Sequence, residues 1–310
     1  MISVRELTRH YGDLVAVNNL TFTIRKGEIT GLLGPNGAGK TTTLRMLTCY
    51  LTPTSGIVSI GDFRVDEDPI AVREIIGYLP ESVPIYGDMV VYDYLKYVAD
   101  IRGVTDPGRI REIAELCGIS EIMHKNVEEL SKGYRQRVGL AHAMIHDPEI
   151  LILDEPTSGL DPNQIVEIRN LIREIGKTKT IILSTHILSE VEATCDRVII
   201  INEGRIVKDS TVDAITSSHG SEIVIHATIG GADFPSIEAA IRKLDGVAHV
   251  SQTGGEGDLV TVEVQTNAAS DLRPMIFHTA AENGWVLYEM ARDAMTLERI
   301  FRDLTIGGGA

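Results

Sequence analysis

Residues 34–41 read Gly34-Pro35-Asn36-Gly37-Ala38-Gly39-Lys40-Thr41, and the spacing G-x-x-x-x-G-K-T leaves few folds open to the chain. Three glycines let the backbone turn with its N–H groups pointing inward, as a phosphate cradle requires. Lys40 can then reach the terminal phosphates of a nucleotide, and the Thr41 hydroxyl can ligate Mg²⁺. The flanks agree. Glu28-Ile29-Thr30-Gly31-Leu32-Leu33 predicts a buried strand before the loop, and Thr41-Thr42-Thr43-Leu44-Arg45-Met46-Leu47 predicts a helix after it, whose N-terminal dipole favours an anion. Strand, loop and helix in that order make the chain α/β.

Two further apolar runs deliver polar residues to a strand end. Glu149-Ile150-Leu151-Ile152-Leu153-Asp154-Glu155-Pro156 suits a central parallel strand buried on both faces, and ligands of such sheets bind at the carboxyl ends of the strands. Asp154 is thereby placed to hold Mg²⁺ through water, and Glu155 to polarise an attacking water. Thr180-Ile181-Ile182-Leu183-Ser184-Thr185-His186 repeats the pattern and brings His186 to the same edge, within reach of a terminal phosphate.

The other segments surround this core. Residues 1–26 alternate as antiparallel strands broken at Tyr11-Gly12-Asp13, where Tyr11 could stack on a purine. Pro53-Thr54-Ser55-Gly56 is a turn before a strand, and Glu81 follows the strand-like Ile75-Ile76-Gly77-Tyr78-Leu79. From about 84 to 145 the apolar spacing becomes helical, through Val91, Leu95, Val98 and Ile101 and then Ile113, Leu116 and Ile119, which predicts an inserted helical subdomain. Asn202-Glu203-Gly204 marks a hairpin, and the Thr-, Ser- and Gly-rich residues 211–220 mark a boundary. Beyond it the order is strand 222–229, helix 235–244, strand 247–253, strand 258–266, helix 268–283, strand 285–290, the βαββαβ order of a ferredoxin-like domain. Leu297, Ile300, Phe301 and Leu304 then form one apolar helical face, for core packing or a partner, before a Gly-rich tail.

Composition narrows the partners. A net charge of −15 over 310 residues argues against a surface for nucleic acid, which needs a basic face. Cys49, Cys117 and Cys195 are widely spaced and form no C-x-x-C pair, so they read as small apolar residues in a reducing compartment. No run approaches the roughly 18 apolar residues of a membrane span, and the N-terminus has no signal-peptide core, so any membrane part must come from another chain.

Leu130-Ser131-Lys132-Gly133-Tyr134-Arg135-Gln136-Arg137 completes a constellation with the loop at 34–41, Asp154-Glu155, Ser158-Gly159-Leu160-Asp161 and His186. It resembles the ATP-binding subunit of an ABC transporter over residues 1–215. The C-terminal domain and motif wording look most like drug- or polysaccharide-export (ABC-2 type) ATPases, with the gliding-motility-associated branch nearest. The resemblance implies a P-loop NTPase cassette at 1–215, a mixed sheet with an antiparallel β subdomain and a helical subdomain, followed by an α+β ferredoxin-like domain at 216–310. It also implies an ATPase with ATP and Mg²⁺ as cofactors. Tyr11 would stack on adenine; Gly34, Pro35, Asn36, Gly37, Ala38, Gly39, Lys40, Thr41 and Thr42 would hold the phosphates; Thr41, Glu81 and Asp154 would serve the metal. Glu155 would be the general base, with His186 on the γ-phosphate. Ser131, Gly133 and Asp161 would act across a dimer of this subunit with itself or a paired ATPase, and a separate permease would place the chain on the cytoplasmic face of a membrane.

Two positions depart from the family's usual wording. Lys132 and Tyr134 replace Gly and Gln, and Glu81 replaces Gln, adding negative charge beside the phosphates. The competing readings are a soluble ABC-type ATPase acting as an ATP-gated binding factor, and a regulator whose C-terminal domain takes a small ligand. The single cassette and acidic balance disfavour the first.

Overall fold

The computed structural model describes residues 2–214, 223–266 and 271–293. The chain divides into two compact units, Met1–Val212 and Asp213–Ala310.

In the first unit, β1 (Ile2–Tyr11) and β2 (Leu14–Ile24) form a hairpin whose apolar residues point inward away from the turn, while Leu14 and Val15 beside the turn are exposed. The alternation Ile2, Val4, Leu7 skips a beat. A bulge absorbs it: Glu6 sits at φ +51°, the register shifts between Val4 and Leu7, and all three apolar side chains stay buried. Next come β3 (Ile29–Leu33), buried at every position, and α1 (Lys40–Leu47). β4 (Ser55–Ile60) and β5 (Phe63–Arg64) extend the hairpin into an antiparallel sheet ordered β2-β1-β4-β5. α2 (Pro69–Ile75) leads into β6 (Ile76–Leu79).

The expected helical insertion follows as α3 (Val91–Ile101), α4 (Arg109–Leu116) and α5 (Lys132–Met144). Val91, Leu95, Val98, Ile113 and Ile119 are buried as the spacing predicts, whereas Ile101 and Leu116, at the ends of their helices, are exposed. α5 lies on β6 at close range. A Cβ on Gly139 would stand 2.7 Å from Leu79 and Val83 side-chain carbons, so glycine permits the contact.

β7 (Ile150–Asp154), α6 (Pro162–Gly176), β8 (Thr180–Thr185), α7 (Leu188–Thr194), β9 (Arg197–Asn202) and β10 (Arg205–Thr211) complete the unit. Six strands run β10-β9-β3-β8-β7-β6, parallel except for the edge hairpin partner β10. β3, β8 and β7 are adjacent and parallel, so the segments after them emerge at one edge. The core fills the space between the two sheets, where Val4, Phe22 and Ile60 share a cluster with Leu44 of α1 and Ile152, Ile182 and Ile199 of the parallel sheet.

The second unit contains β11 (Ile223–Gly230), α8 (Phe234–Ile241), β12 (Val247–Glu256), β13 (Leu259–Thr266), α9 (Arg273–Glu282) and β14 (Val286–Asp293). The element order is the βαββαβ expected from the sequence, on an antiparallel sheet ordered β12-β13-β11-β14. Alternate residues Ile225, Ala227, Ile229, Val262 and Val264 pack with Ile237, Ile241 and Ile276 of the helices. α8 ends at Ile241, before the expected 244, and among the described residues α9 begins at Arg273. Proline at the first turn sets the start of α9, since it lacks an N–H and has a helical φ already. Residues 215–220 of the expected boundary, 222 of the expected strand, 268–270 of the expected helix and the amphipathic stretch 296–304 lie outside the described residues.

Candidate active site

The phosphate loop connects β3 to α1, and its glycines are required for a reason the motif alone does not reveal. A Cβ on Gly34 would lie 2.2 Å from the Ile201 carbonyl, and one on Gly39, at φ +103°, would lie 2.5 Å from the Ala16 carbonyl. The loop is therefore clamped between β9 and β2. The β9–β10 hairpin turn braces it too, since Gly204 N donates to Ala38 O at 3.0 Å while Asn18 N donates to Gly204 O at 2.8 Å.

Lys40 opens α1 and is 5% exposed. Its Nζ donates to Gly34 O at 2.6 Å and Pro35 O at 3.2 Å, and stands 3.4 Å from Glu155 Oε1. Glu155, just beyond β7, is buried and holds φ +47°, an uncommon conformation for a residue with a Cβ. Ser184 fixes it there: Glu155 N donates to Ser184 Oγ at 2.9 Å and Ser184 O at 3.2 Å. The other carboxylate oxygen, Oε2, lies 2.9 Å from His186 Nδ1. The expected trio of Lys40, Glu155 and His186 thus meets at one carboxylate, with Lys40 against one oxygen of Glu155 and His186 against the other.

Asp154 is 1% exposed and faces α1. Its Oδ1 accepts from Ser184 Oγ at 2.6 Å and from Thr41 Oγ1 at 3.0 Å. Burial raises its carboxyl above the ordinary aspartate range, against the lowering effect of these two hydroxyls. The donors are all oxygen, the set that suits a hard cation, and a nearby cation would offset the cost of a buried carboxylate. Among the described residues no three His, Cys, Asp or Glu cluster to hold a metal, so Mg²⁺ here would take its remaining ligands from phosphate and water.

A cavity of about 520 Å³ lies over the loop, and its walls include Tyr11, Pro35–Thr42, Glu81, Glu155, Ser158 and His186. Tyr11 ends β1, and the Arg9 guanidinium sits 4.9 Å from its ring centroid, covering one face. Glu81 reaches the same cavity from the loop after β6.

Ser131, Gly133 and Asp161 are elsewhere. Ser131 caps α5 by accepting from Tyr134 N at 3.4 Å, and Gly133 leaves room for the Gln164 amide, 2.7 Å from where its Cβ would be. Asp161 caps α6, accepting from Gln164 N at 2.9 Å. Ser131 and Gly133 line a separate cavity with Tyr134, Arg137, Gln164 and Glu167.

Sequence reasoning missed two residues that hold this edge together, Ser184 and Glu190. Ser184 bridges the two carboxylate positions. Glu190 on α7 is 3% exposed, bonds Thr157 Oγ1, and accepts from Thr185 Oγ1 at 2.5 Å, fixing the residues that flank Glu155 and His186. Nothing in the sequence distinguishes Glu190 from the exposed Glu192 of the same helix. Cys117 and Cys195 are buried as expected, and Cys49 is half-buried at φ +56°.

Comparison with known proteins agrees with this geometry. The family described as ABC transporter matches residues 17–158. The linearmycin resistance ATP-binding protein LnrL of Bacillus subtilis is 28% identical over 98% of this chain and 98% of its own length. The bacitracin transport ATP-binding protein BcrA of Bacillus licheniformis is 40% identical over 69% of this chain and 70% of its own. A cassette solved as a post-hydrolysis dimer with ADP and Pi has the same fold, with a TM-score of 0.63 and 22% identity over 68% of this chain and 99% of that one. Loop, carboxylate pair and relatives concur that this chain belongs to the family of ABC transporter ATP-binding proteins, the ATP-hydrolysing subunits of ABC transporters.

Proposed function

We propose that the chain hydrolyses Mg-ATP in a dimer with two composite sites and drives export through a permease supplied by another chain, from the cytoplasmic face of a membrane. The observation that carries the reading is the position of Glu155, buried between Lys40 and His186 at the mouth of the phosphate loop.

In this reading the loop amides and Lys40 hold the β- and γ-phosphates, and Tyr11 offers a ring for the adenine. Thr41 and Asp154 would hold Mg²⁺, Asp154 through water, with Glu81 reaching the same cavity. When bound, the metal supplies charge neutralisation to the phosphates. Glu155 accepts a proton from the attacking water, and the His186 contact holds the carboxylate while the imidazole faces the γ-phosphate. Lys40 stabilises charge gathering on the transferred group. Ser131, Gly133 and Asp161 cover the nucleotide of the other subunit, which accounts for their distance from the loop in a single chain.

The relatives named for linearmycin resistance and bacitracin transport support an export role. No helix among the described residues is long and apolar enough to cross a membrane. A pull-down from detergent-solubilised membranes with the Glu155→Gln chain as bait tests the reading. Recovery of a multi-span membrane protein is the expected result, and recovery of ribosomes or nucleic-acid proteins alone would sink it.

A further inference from the structure

The nucleotide cavity and the N-terminus of α5 each hold a charge that its surroundings oppose. Among the residues lining the cavity, Lys40 is the only lysine or arginine, and it is already against Glu155. Glu81 therefore adds an exposed carboxylate to a wall built for a polyphosphate, and it makes no ion pair among the described residues. Lys132 has the opposite problem. It is the first residue of α5, where the helix dipole disfavours a cation, and the first turn contains no acidic residue to offset it. Lys132 also makes no ion pair among the described residues, and its Nζ rests over Gly159, 2.2 Å from where a Cβ would stand. Glycine at 159 thus lets the ammonium lie along the same exposed surface as Ser131.

Within one chain the two charges are set apart. Gly139 of α5 packs on Val83 beside Glu81, and Lys132 is seven residues earlier on the helix, a rise of about 10 Å. Building on the two-subunit reading above, we propose that Glu81 of one subunit and Lys132 of its partner form an ion pair that closes each composite site. Each then removes the other's electrostatic cost, and the pairing makes closure selective for a correctly registered dimer.

A mixing experiment tests this in full-length chains carrying Glu155→Gln, with Mg-ATP and light scattering as the readout of dimer. Glu81→Lys alone and Lys132→Glu alone each place like charges together at both sites, and each should dimerise at least ~10-fold more weakly than the parent. Mixed in equal amounts, the two single variants restore one native and one exchanged pair across the interface, while contacts within each chain stay like-charged. The mixture should therefore dimerise within about threefold of the parent. Binding of a fluorescent ATP analogue to each separate variant checks that it is folded. Should either variant fail that check, Glu81→Gln and Lys132→Met replace the reversals, and a double variant no weaker than either single one is then expected. A mixture as weak as its components, single variants as strong as the parent, or strictly additive neutral variants would overturn the pairing. A parent that stays monomeric would instead overturn the two-subunit reading on which it rests.

Discussion

The loop edge of the parallel sheet and the N-terminal end of α5 differ in how much of their geometry the chain itself supplies. At the loop edge three charged groups are buried and held: Lys40 by two carbonyls, Asp154 by two hydroxyls, and Glu155 by the main chain and side chain of Ser184. At α5, Ser131 and Asp161 do no more than cap their own helices, and Lys132 stands exposed without an acidic partner among the described residues. One surface is preorganised by the fold. The other has its backbone set but its side chains left to whatever approaches it, as expected of half of a shared site.

The largest effect should come from the preorganised side. Glu155→Gln keeps the size and contacts of the side chain but removes the proton acceptor, so steady-state phosphate release should fall about 10³-fold with ATP still bound. Asp154→Asn comes next. Turnover should fall about 10²-fold, and the melting temperature of the nucleotide-free protein should rise at neutral pH. The sign follows from the raised carboxyl: its contribution to stability is full below the unfolded value near 3.8 and is lost as pH rises through the higher folded value. A fall in melting temperature would show that the two hydroxyl contacts outweigh the burial cost.

Ser131→Ala sharpens the contrast from the other side. It should cost about 1 kcal/mol of helix capping in urea unfolding and lower turnover about tenfold. ATP affinity of the isolated chain should stay unchanged, because Ser131 does not line the loop cavity. A matching loss of affinity would merge the two surfaces into one. The smallest effect at neutral pH belongs to the far end of α5 and its following turn. There His142 and His146 are pushed down to about 4 by burial, with the nearby Arg102 adding to it. His142 Nδ1 sits 2.6 Å from Tyr94 Oη, and His146 Nε2 sits 2.9 Å from Ile76 O. Both folded values lie below the unfolded 6.5, so stability is present above 6.5 and is lost as pH falls toward 4. The loss should reach at most about 3 kcal/mol per pH unit in acid unfolding curves, and His142→Gln should roughly halve the slope.

The sequence by itself determined the phosphate loop, the strands that deliver Asp154, Glu155 and His186, and the order of elements in both units. These are local matters: continuous apolar runs need two-sided burial, and a fixed glycine spacing has few conformations. Tertiary structure alone decided why Gly34 and Gly39 cannot carry a side chain, since the Ile201 and Ala16 carbonyls that press on them come from distant strands. It alone revealed Ser184 and Glu190 as the residues that brace the strand ends carrying Glu155 and His186, because a serine in an apolar run and a glutamate on a short helix look the same wherever they point. It also separated Ser131, Gly133 and Asp161 from the loop they would serve, for motif order in a chain says nothing about which surfaces face each other.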